Sequence, residues 1–300
     1  MSPVAGPTCT AVGRVHGALA ACFASMSGRT PGSRQAFPAR QLPSWTSVKQ
    51  DERAPFEQAL RRARVSAFAR GEYVEQESFM RAGEIRGLAD RAGISAGVSV
   101  LDLCCGVAGP GRFITSEFGC TYLGLDLSAG AIEIARERAG DLPCRFEVSR
   151  IPPLPQGEFD VVLLLETMLA FADKEPLLRE VSRVLATGGR FAFTLEEGAP
   201  LTEAERERMP DADTVWLTPL EEMHASLERA GLVVRWQEDH SRSHRAVADS
   251  LTDAFSADAA EIAAQIGRQA FDELVAAHRL WSAWLSEGRV RKIVLVAEKR

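Results

Sequence analysis

The stretch from Val100 to Gly111 reads Val100-Leu101-Asp102-Leu103-Cys104-Cys105-Gly106-Val107-Ala108-Gly109-Pro110-Gly111. Its apolar beginning, together with the preceding Val98, is typical of a buried parallel strand that runs into a glycine-rich loop. Pro110 suits the first turn of a following helix, where its missing N–H costs nothing. A strand, a glycine loop and a helix in this order predict one repeating unit of an α/β fold.

The same alternation continues along the chain after this first unit. Helices are predicted over residues 131–139, 175–185 and 218–231, with Ser128 and Thr218 as caps and Gly188-Gly189 as a stop signal. Six further strands are predicted at 121–125, 145–148, 160–165, 190–195, 232–237 and 292–298. The sequence therefore predicts a doubly wound, Rossmann-like α/β fold in which helices cover both faces of a seven-stranded parallel sheet.

Two helical segments flank this core and divide the chain. Apolar spacing predicts two helices between residues 55 and 93, so we assign 51–97 to an N-terminal helical lid. More than fifty residues with mostly helical spacing separate the last two strands, which is far more than a hairpin needs. We therefore expect a core domain over 98–300 that contains a helical cap insertion at 240–289, and an extension at 1–50.

A nucleoside-binding arrangement follows from one spacing. Asp126 ends the second predicted strand twenty residues after Gly106, where a carboxylate accepts hydrogen bonds from ribose hydroxyls. A dinucleotide needs glycines and free N–H groups around its pyrophosphate, yet this loop has Ala108 and Pro110. S-adenosylmethionine carries no phosphate, and its sulfonium and ammonium groups suit the carboxylate of Asp102. This cofactor therefore fits better than a nicotinamide dinucleotide.

Four segments in order resemble the motifs of class I S-adenosylmethionine-dependent methyltransferases. They are 102–111, 123–128, 159–166 and 177–190, and the run Cys105-Gly106-Val107-Ala108-Gly109-Pro110 is most similar to the branch of sterol and ubiquinone C-methyltransferases and natural-product tailoring enzymes. The resemblance covers roughly residues 70–300. It implies methyl transfer from S-adenosyl-L-methionine to a small organic molecule of secondary metabolism.

The resemblance also implies roles for individual residues. The expected cofactor-binding residues are Tyr73, Asp102, Cys104, Cys105, Gly106, Ala108, Asp126, Leu127, Arg150, Ile151 and Glu166. Residues 71–76 would form the segment that closes over the sulfonium. The chain departs from the family at Ala108, where glycine is usual, and at Ser149-Arg150, where relatives carry an Asp that binds the adenine amino group. The resemblance then implies that Ile151 contacts the adenine ring.

Three residues are the candidates for catalysis. Tyr73 can stack near a sulfonium, Glu166 ends a strand at the ligand-binding edge, and His244 offers a proton acceptor. The expected substrate pocket contains Met168, Phe171, Trp216 and Trp281. We expect an aromatic or indole-like substrate and favour carbon methylation, with oxygen or nitrogen methylation as the alternative. A non-catalytic cofactor-binding protein and a nicotinamide oxidoreductase are the rival classes.

Charge and composition restrict the partners. The first 50 residues hold five basic and no acidic side chains, so all 41 acidic residues of a chain with net charge -6 lie in the body. This balance argues against a nucleic-acid groove, and no run of about 18 apolar residues predicts a membrane span.

The six cysteines lack metal-type spacing, so no metal and a cytoplasmic location are expected. Residues 1–50 are interpreted as a disordered extension, with organellar targeting as the alternative. Oligomeric state is left open.

Overall fold

The computed structural model describes residues 58–210 and 212–300, so the extension at 1–50 lies outside the described residues. The described helices fall into a group before the first strand, a group between strands and a group before the last strand. They are α1 (Gln58–Ala67), α2 (Ala82–Ala92), α3 (Gly109–Phe118), α4 (Ala129–Ala139), α5 (Glu175–Val184), α6 (Glu203–Arg208), α7 (Leu220–Arg229), α8 (Ser241–Ala257), α9 (Ala259–Ile266) and α10 (Arg268–Glu287). Short 3-10 helices occupy Met168–Ala170 and Ala212–Thr214.

Seven strands form one sheet in the order β3-β2-β1-β4-β5-β7-β6. The strands are β1 (Ser99–Leu103), β2 (Thr121–Asp126), β3 (Cys144–Val148), β4 (Phe159–Leu164), β5 (Leu185–Glu197), β6 (Leu232–Asp239) and β7 (Arg291–Lys299). The predicted α/β fold and its seven strands are confirmed. The order reverses at β1, which pairs with both β2 and β4, and ligands of such sheets bind beyond the strand ends at this point.

The sheet is mixed, whereas the sequence predicts a parallel one. β7 runs antiparallel to both of its neighbours, β5 and β6. The chain leaves β6 at His240 and returns at Lys292, and these two backbones are hydrogen-bonded (His240 N to Lys292 O, 2.8 Å). Because α8, α9 and α10 bring the chain back to the edge it left, β7 has to run in the opposite direction.

Local signals set most helix ends, with two corrections. Ser128 caps α4 as predicted, since its hydroxyl accepts from the Ala131 N–H at 3.1 Å. Gly188-Gly189 does not stop a helix: α5 ends at Val184 because Leu185 is already extended and pairs with Phe159, which places both glycines inside β5. The N-cap of α7 is Pro219 rather than Thr218.

The core has separate layers. One layer packs α5 and α7 on one sheet face, and another packs α2, α3 and α4 on the opposite face. A third apolar cluster joins α1 to the helices between β6 and β7, with Leu60, Phe255, Leu274 and Trp281 buried in it. The helical segments that flank the core are therefore packed against one another. Within the residues that the structure describes, no helix has the length and apolar character to cross a bilayer.

Candidate active site

A pocket with about 810 Å³ of free space opens at the carboxyl ends of β1 and β4. The loop after β1, the loop after β4, the segment between α1 and α2, and α10 all contribute to its wall. The lining side chains used below are Glu75, Glu77, Phe79, Asp102, Glu166, Leu169, Glu196, His278 and Trp281, together with residues 104–110. The predicted glycine loop and the predicted strand end at Glu166 therefore share one pocket.

Backbone strain is concentrated in this wall. Among the described residues, four non-glycine residues have positive φ: Glu75 (62°), Cys104 (57°), Ala108 (54°) and Glu166 (60°). All four line the pocket. A left-handed conformation costs a side-chain-bearing residue about 1–3 kcal/mol, so such residues persist where the surroundings hold them and are concentrated at functional sites. The family's usual glycine at the position of Ala108 is explained by the same φ.

Asp102 is a buried carboxylate at the end of β1. Its side chain is 3% exposed and accepts a hydrogen bond from the Tyr122 hydroxyl. Burial raises the pKa of Asp102 to about 7, against the lowering effect of the Tyr122 hydrogen bond. In the described part of the chain, Asp102 is the pocket-lining carboxylate for which no cationic side chain is within ion-pair distance. It is suited to bind the ammonium group of a ligand.

Asp126 joins the glycine loop to the next helix. Its carboxylate accepts from the N–H of Gly106 and from the N–H of Ser128, each at 2.8 Å. Each oxygen retains a lone pair for a ligand hydroxyl. A second pocket, of about 740 Å³, begins beside Asp126 and is lined by Leu127, Arg150 and Ile151. The predicted nucleoside residues therefore lie together, and the acid-lined main pocket beside them fits a cationic cofactor such as S-adenosylmethionine.

An ionic cluster lies on the other side of the main pocket. Lys292 on β7 is buried, and its ammonium is 2.6 Å from Glu166 Oε1 and in direct contact with Glu196. Glu196 and Lys292 are opposite each other in the antiparallel β5–β7 register, so the sheet itself forms the pair. Burial raises the pKa of Glu196. Burial lowers the pKa of Lys292, but Glu166 and Glu196 together raise it above its ordinary value.

Other groups fix the position of Glu166. Its N–H donates to the Thr194 hydroxyl at 2.6 Å, and its Oε2 is 3.5 Å from the Phe79 N–H. His244, which belongs to α8 and is 1% exposed, has Nδ1 3.7 Å from Glu166 Oε1. Burial and then Lys292 hold the pKa of His244 well below its ordinary value, so its ring is neutral. The cluster therefore fixes the position of the Glu166 carboxylate, which faces the pocket.

The structure brings some predicted residues together and separates others. Trp281 lines the main pocket, whereas Phe171 lines the second pocket beside Arg150. Met168 is fully buried in the core under α5. Trp216 is 37% exposed, donates to the Asp213 carbonyl and is not among the residues that line either pocket.

Tyr73 also lies outside the main pocket. Its ring packs on Phe68, with 5.5 Å between centroids, and it lines an outer groove of the segment between α1 and α2. Its neighbour Glu75 does reach the main pocket and is held there by Arg61 and Arg112. Of these two residues, Glu75 therefore lines the main pocket and Tyr73 does not.

Several lining residues have no motif in the sequence. Glu77 is paired with Arg64 at 3.3 Å, and burial raises its pKa to about 7. His278 is buried between Phe79 and Phe255, and its Nδ1–H donates to the Leu274 carbonyl at 2.8 Å. Lys292 pairs with Glu166 and Glu196 without lining the pocket itself, and it is the clearest missed residue, since a charged side chain before the apolar run 293–297 is a sequence signal of a buried pair.

Comparison with known families agrees with this geometry. Residues 101–193 match the family model described as a methyltransferase domain. This part of the chain is a methyltransferase domain. The predicted resemblance to class I S-adenosylmethionine-dependent methyltransferases is confirmed at the level of this domain.

Curated proteins match parts of this chain. It is 35% identical over 112 residues to methyltransferase GfsG of Streptomyces halstedii, which covers 35% of this chain and 40% of the relative. It is 32% identical over 169 residues to 27-O-demethylrifamycin SV methyltransferase of Amycolatopsis mediterranei (strain S699), covering 53% and 62%. The chain thus spans less than two thirds of the length of either relative.

A solved structure shares the fold. Phosphoethanolamine N-methyltransferase 2 of Haemonchus contortus, in complex with S-adenosyl-L-methionine, superposes with a TM-score of 0.67 at 21% identity. The match covers 79% of this chain and 56% of that one. The two chains therefore share the arrangement of strands and helices.

Proposed function

We propose that the protein transfers the methyl group of S-adenosylmethionine to a small organic molecule with an apolar or aromatic body. One observation carries the proposal: a single pocket of about 810 Å³ contains both the carboxylate without a cation, Asp102, and the held carboxylate of Glu166. The first suits the cofactor's ammonium, and the second suits a proton of the substrate. When bound, the cofactor supplies an electrophilic methyl group.

The residues of the chain have separate roles in this proposal. Asp102 and the loop 104–108 bind the amino-acid part of the cofactor, and Asp126, Leu127, Arg150 and Ile151 bind its nucleoside part. Phe79, Leu169 and Trp281 form an apolar wall for the substrate. Holding the two reactants in line and away from water is the main contribution of such a site, since effective molarities can lower the barrier by about 7–11 kcal/mol.

Glu166 receives the proton of the substrate. A phenol O–H or an indole N–H that donates to this carboxylate becomes more electron-rich, either at the ring carbons or at the heteroatom itself. The electron pair of the acceptor would take up the methyl group that the cofactor supplies, with the bonding pair leaving on sulfur. For an oxygen or nitrogen acceptor, Glu166 receives the O–H or N–H proton; for a ring carbon, Glu166 receives the C–H proton of the methylated carbon, which leaves after methylation. We propose a ring carbon as the acceptor.

Oxygen methylation is the second candidate. It is supported by the 27-O-demethylrifamycin SV methyltransferase among the relatives, whose name places its methyl acceptor on oxygen. Both candidates use the same carboxylate, and the methylated atom of the product distinguishes them.

We also retain the proposed division into a lid at 51–97, a core at 98–300 and a cap at 240–289. A Cβ at Gly109 would lie 2.3 Å from the Val74 carbonyl oxygen, so the segment between α1 and α2 rests directly on the cofactor loop. Such contact supports closure of this segment over the bound cofactor. Helix α10 contributes His278 and Trp281 from the other side.

The test is a screen with isotopically labelled methyl over phenols, indoles, quinols, amines and carboxylates, with the methylated atom located by NMR. Glu166→Gln is expected to lower kcat by about 10²–10⁴-fold and to leave calorimetric cofactor affinity unchanged. The matched control is Glu197→Gln, which removes a neighbouring carboxylate that pairs with Arg291. Cofactor binding without transfer to any compound of the screen would support the rival class, a non-catalytic cofactor-binding protein.

A further inference from the structure

A second group of ligand-type side chains lies behind the pocket, between α2 and the start of α8. Glu84 on α2, His240 before α8 and His244 on its second turn each bring one nitrogen or carboxylate oxygen to within 4.8 Å of the others. His240 is the N-cap of α8 and His244 is four residues later, and their ring centroids are 6.3 Å apart. Three ligand atoms thus converge from α2 and from the start of α8.

The distances are close to those that a metal ion needs. A tetrahedral ion about 2.1 Å from each ligand atom sets neighbouring ligand atoms about 3.4 Å apart. Glu84 Oε1 and His240 Nδ1 are already 3.4 Å apart. Only a small side-chain movement of His244 is then needed to complete three ligands, which leaves a fourth position for water.

His244 supplies an independent reason to expect a ligand. It is 1% exposed, and neither of its ring nitrogens has a hydrogen-bond partner in the described part of the chain. His240 Nδ1 is also buried, and it faces Glu84 Oε1 at 3.4 Å. Buried ring nitrogens without partners are costly, and an ion bound by His244 would satisfy one of its nitrogens.

We propose that Glu84, His240 and His244 bind one divalent transition-metal ion of the zinc class. Two imidazoles and one carboxylate are ligands typical of zinc and of its first-row neighbours. The exposed Glu238 is 3.8 Å from His240 Nε2, so the cluster borders solvent on that side.

Such an ion connects with the pocket through a single side chain. If one nitrogen of His244 binds the metal, the other is free to donate to Glu166, whose Oε1 is 3.7 Å from Nδ1. A histidine between a metal and a carboxylate is fixed in both tautomer and orientation. The metal would therefore position the carboxylate that faces the substrate. The cysteine spacing gives no sign of this site because none of its ligands is a cysteine.

The experiment is a Zn²⁺ titration of the full chain after treatment with a chelator, followed by calorimetry and by the Co²⁺ absorption spectrum. We expect one equivalent to bind, and we expect His240→Ala to weaken it by at least about tenfold. His224→Ala is the matched control: it also removes a histidine, one that contacts Gln237 outside the cluster, and it should bind as the parent does.

Glu84→Gln is the second variant, in case His240→Ala disturbs the start of α8. Circular dichroism checks that both variants are folded. The proposal is overturned if the parent binds no Zn²⁺, or if the folded His240→Ala and Glu84→Gln variants both bind it with the affinity of the His224→Ala control. Because binding and spectra are measured without substrate, a failure here is separate from a failure of the proposed methyl transfer.

Discussion

Replacement of Lys292 by methionine tests the buried ionic cluster. The substitution keeps the length and the apolar stem of the side chain but removes the one ammonium that Glu166 and Glu196 share. Glu196 is then left as a carboxylate that is 3% exposed. Breaking a buried pair by removing one partner costs more than the pair itself contributes, since the remaining charge has lost its water as well as its partner.

The expected loss in the free energy of unfolding is about 3–5 kcal/mol. Glu166 and Glu196 contribute unequally to this loss of stability. The Glu166 side chain is 12% exposed toward the pocket and can be hydrated from there, whereas the Glu196 side chain is 3% exposed. Adding Glu196→Gln to Lys292→Met should therefore restore more stability than adding Glu166→Gln.

The assay is urea unfolding followed by circular dichroism and by tryptophan fluorescence. Lys299→Met is the matched control on the same strand, where the ammonium donates to the Leu185 carbonyl; it should cost about 0.5–1.5 kcal/mol. The reasoning fails if Lys292→Met costs no more than Lys299→Met. It also fails if Glu166→Gln rescues the variant better than Glu196→Gln.

Three further predictions concern the cofactor side and the packed helices. Gly111→Ala should weaken cofactor binding in calorimetry, because its Cβ would lie 2.2 Å from the Tyr122 ring that holds Asp102, whereas the control Gly87→Ala meets nothing and should stabilise the protein by about 1 kcal/mol. Cofactor affinity should fall by up to about tenfold per pH unit below pH 7, since Asp102 has a pKa of about 7 and its protonated form cannot pair with an ammonium; a pH series of Asp102→Asn that keeps the same slope would contradict this. Phe255→Ala should lower the free energy of unfolding by about 3–5 kcal/mol in a urea titration, because the side chain is fully buried; a loss under about 1 kcal/mol would mean that this cluster is not a packed core.

The cofactor half of the site could be predicted because its residues follow one another in the chain. Asp102, Gly106 and Asp126 lie on two adjacent strands and the loop between them, so a spacing in the sequence is also a distance in space. Strand, loop and helix signals agree there, and a resemblance to a family can be recognised in such a contiguous motif.

The substrate half could not be predicted in the same way. Lys292 meets Glu196 and Glu166 only because β7 runs antiparallel to β5, and that direction depends on where the helices before it return the chain. Trp216 illustrates the opposite error, since composition alone favours an aromatic residue as a pocket wall although its position leaves it 37% exposed. Backbone strain at Ala108 has no sequence signal except the glycine that relatives carry there.

The closure of the helical segment between β6 and β7 has a consequence for how such a protein can diversify. Its two ends are joined by backbone: His240 N donates to the Lys292 carbonyl, and the Lys292 N–H donates to the Ser241 hydroxyl at 2.9 Å. The chain segment between these two points, which includes His278 and Trp281, leaves the sheet and returns to it at the same place. We therefore expect that the segment could be exchanged between related chains, and that a chimera would take the wall proposed for the substrate from one parent and the loop proposed for the methyl donor from the other.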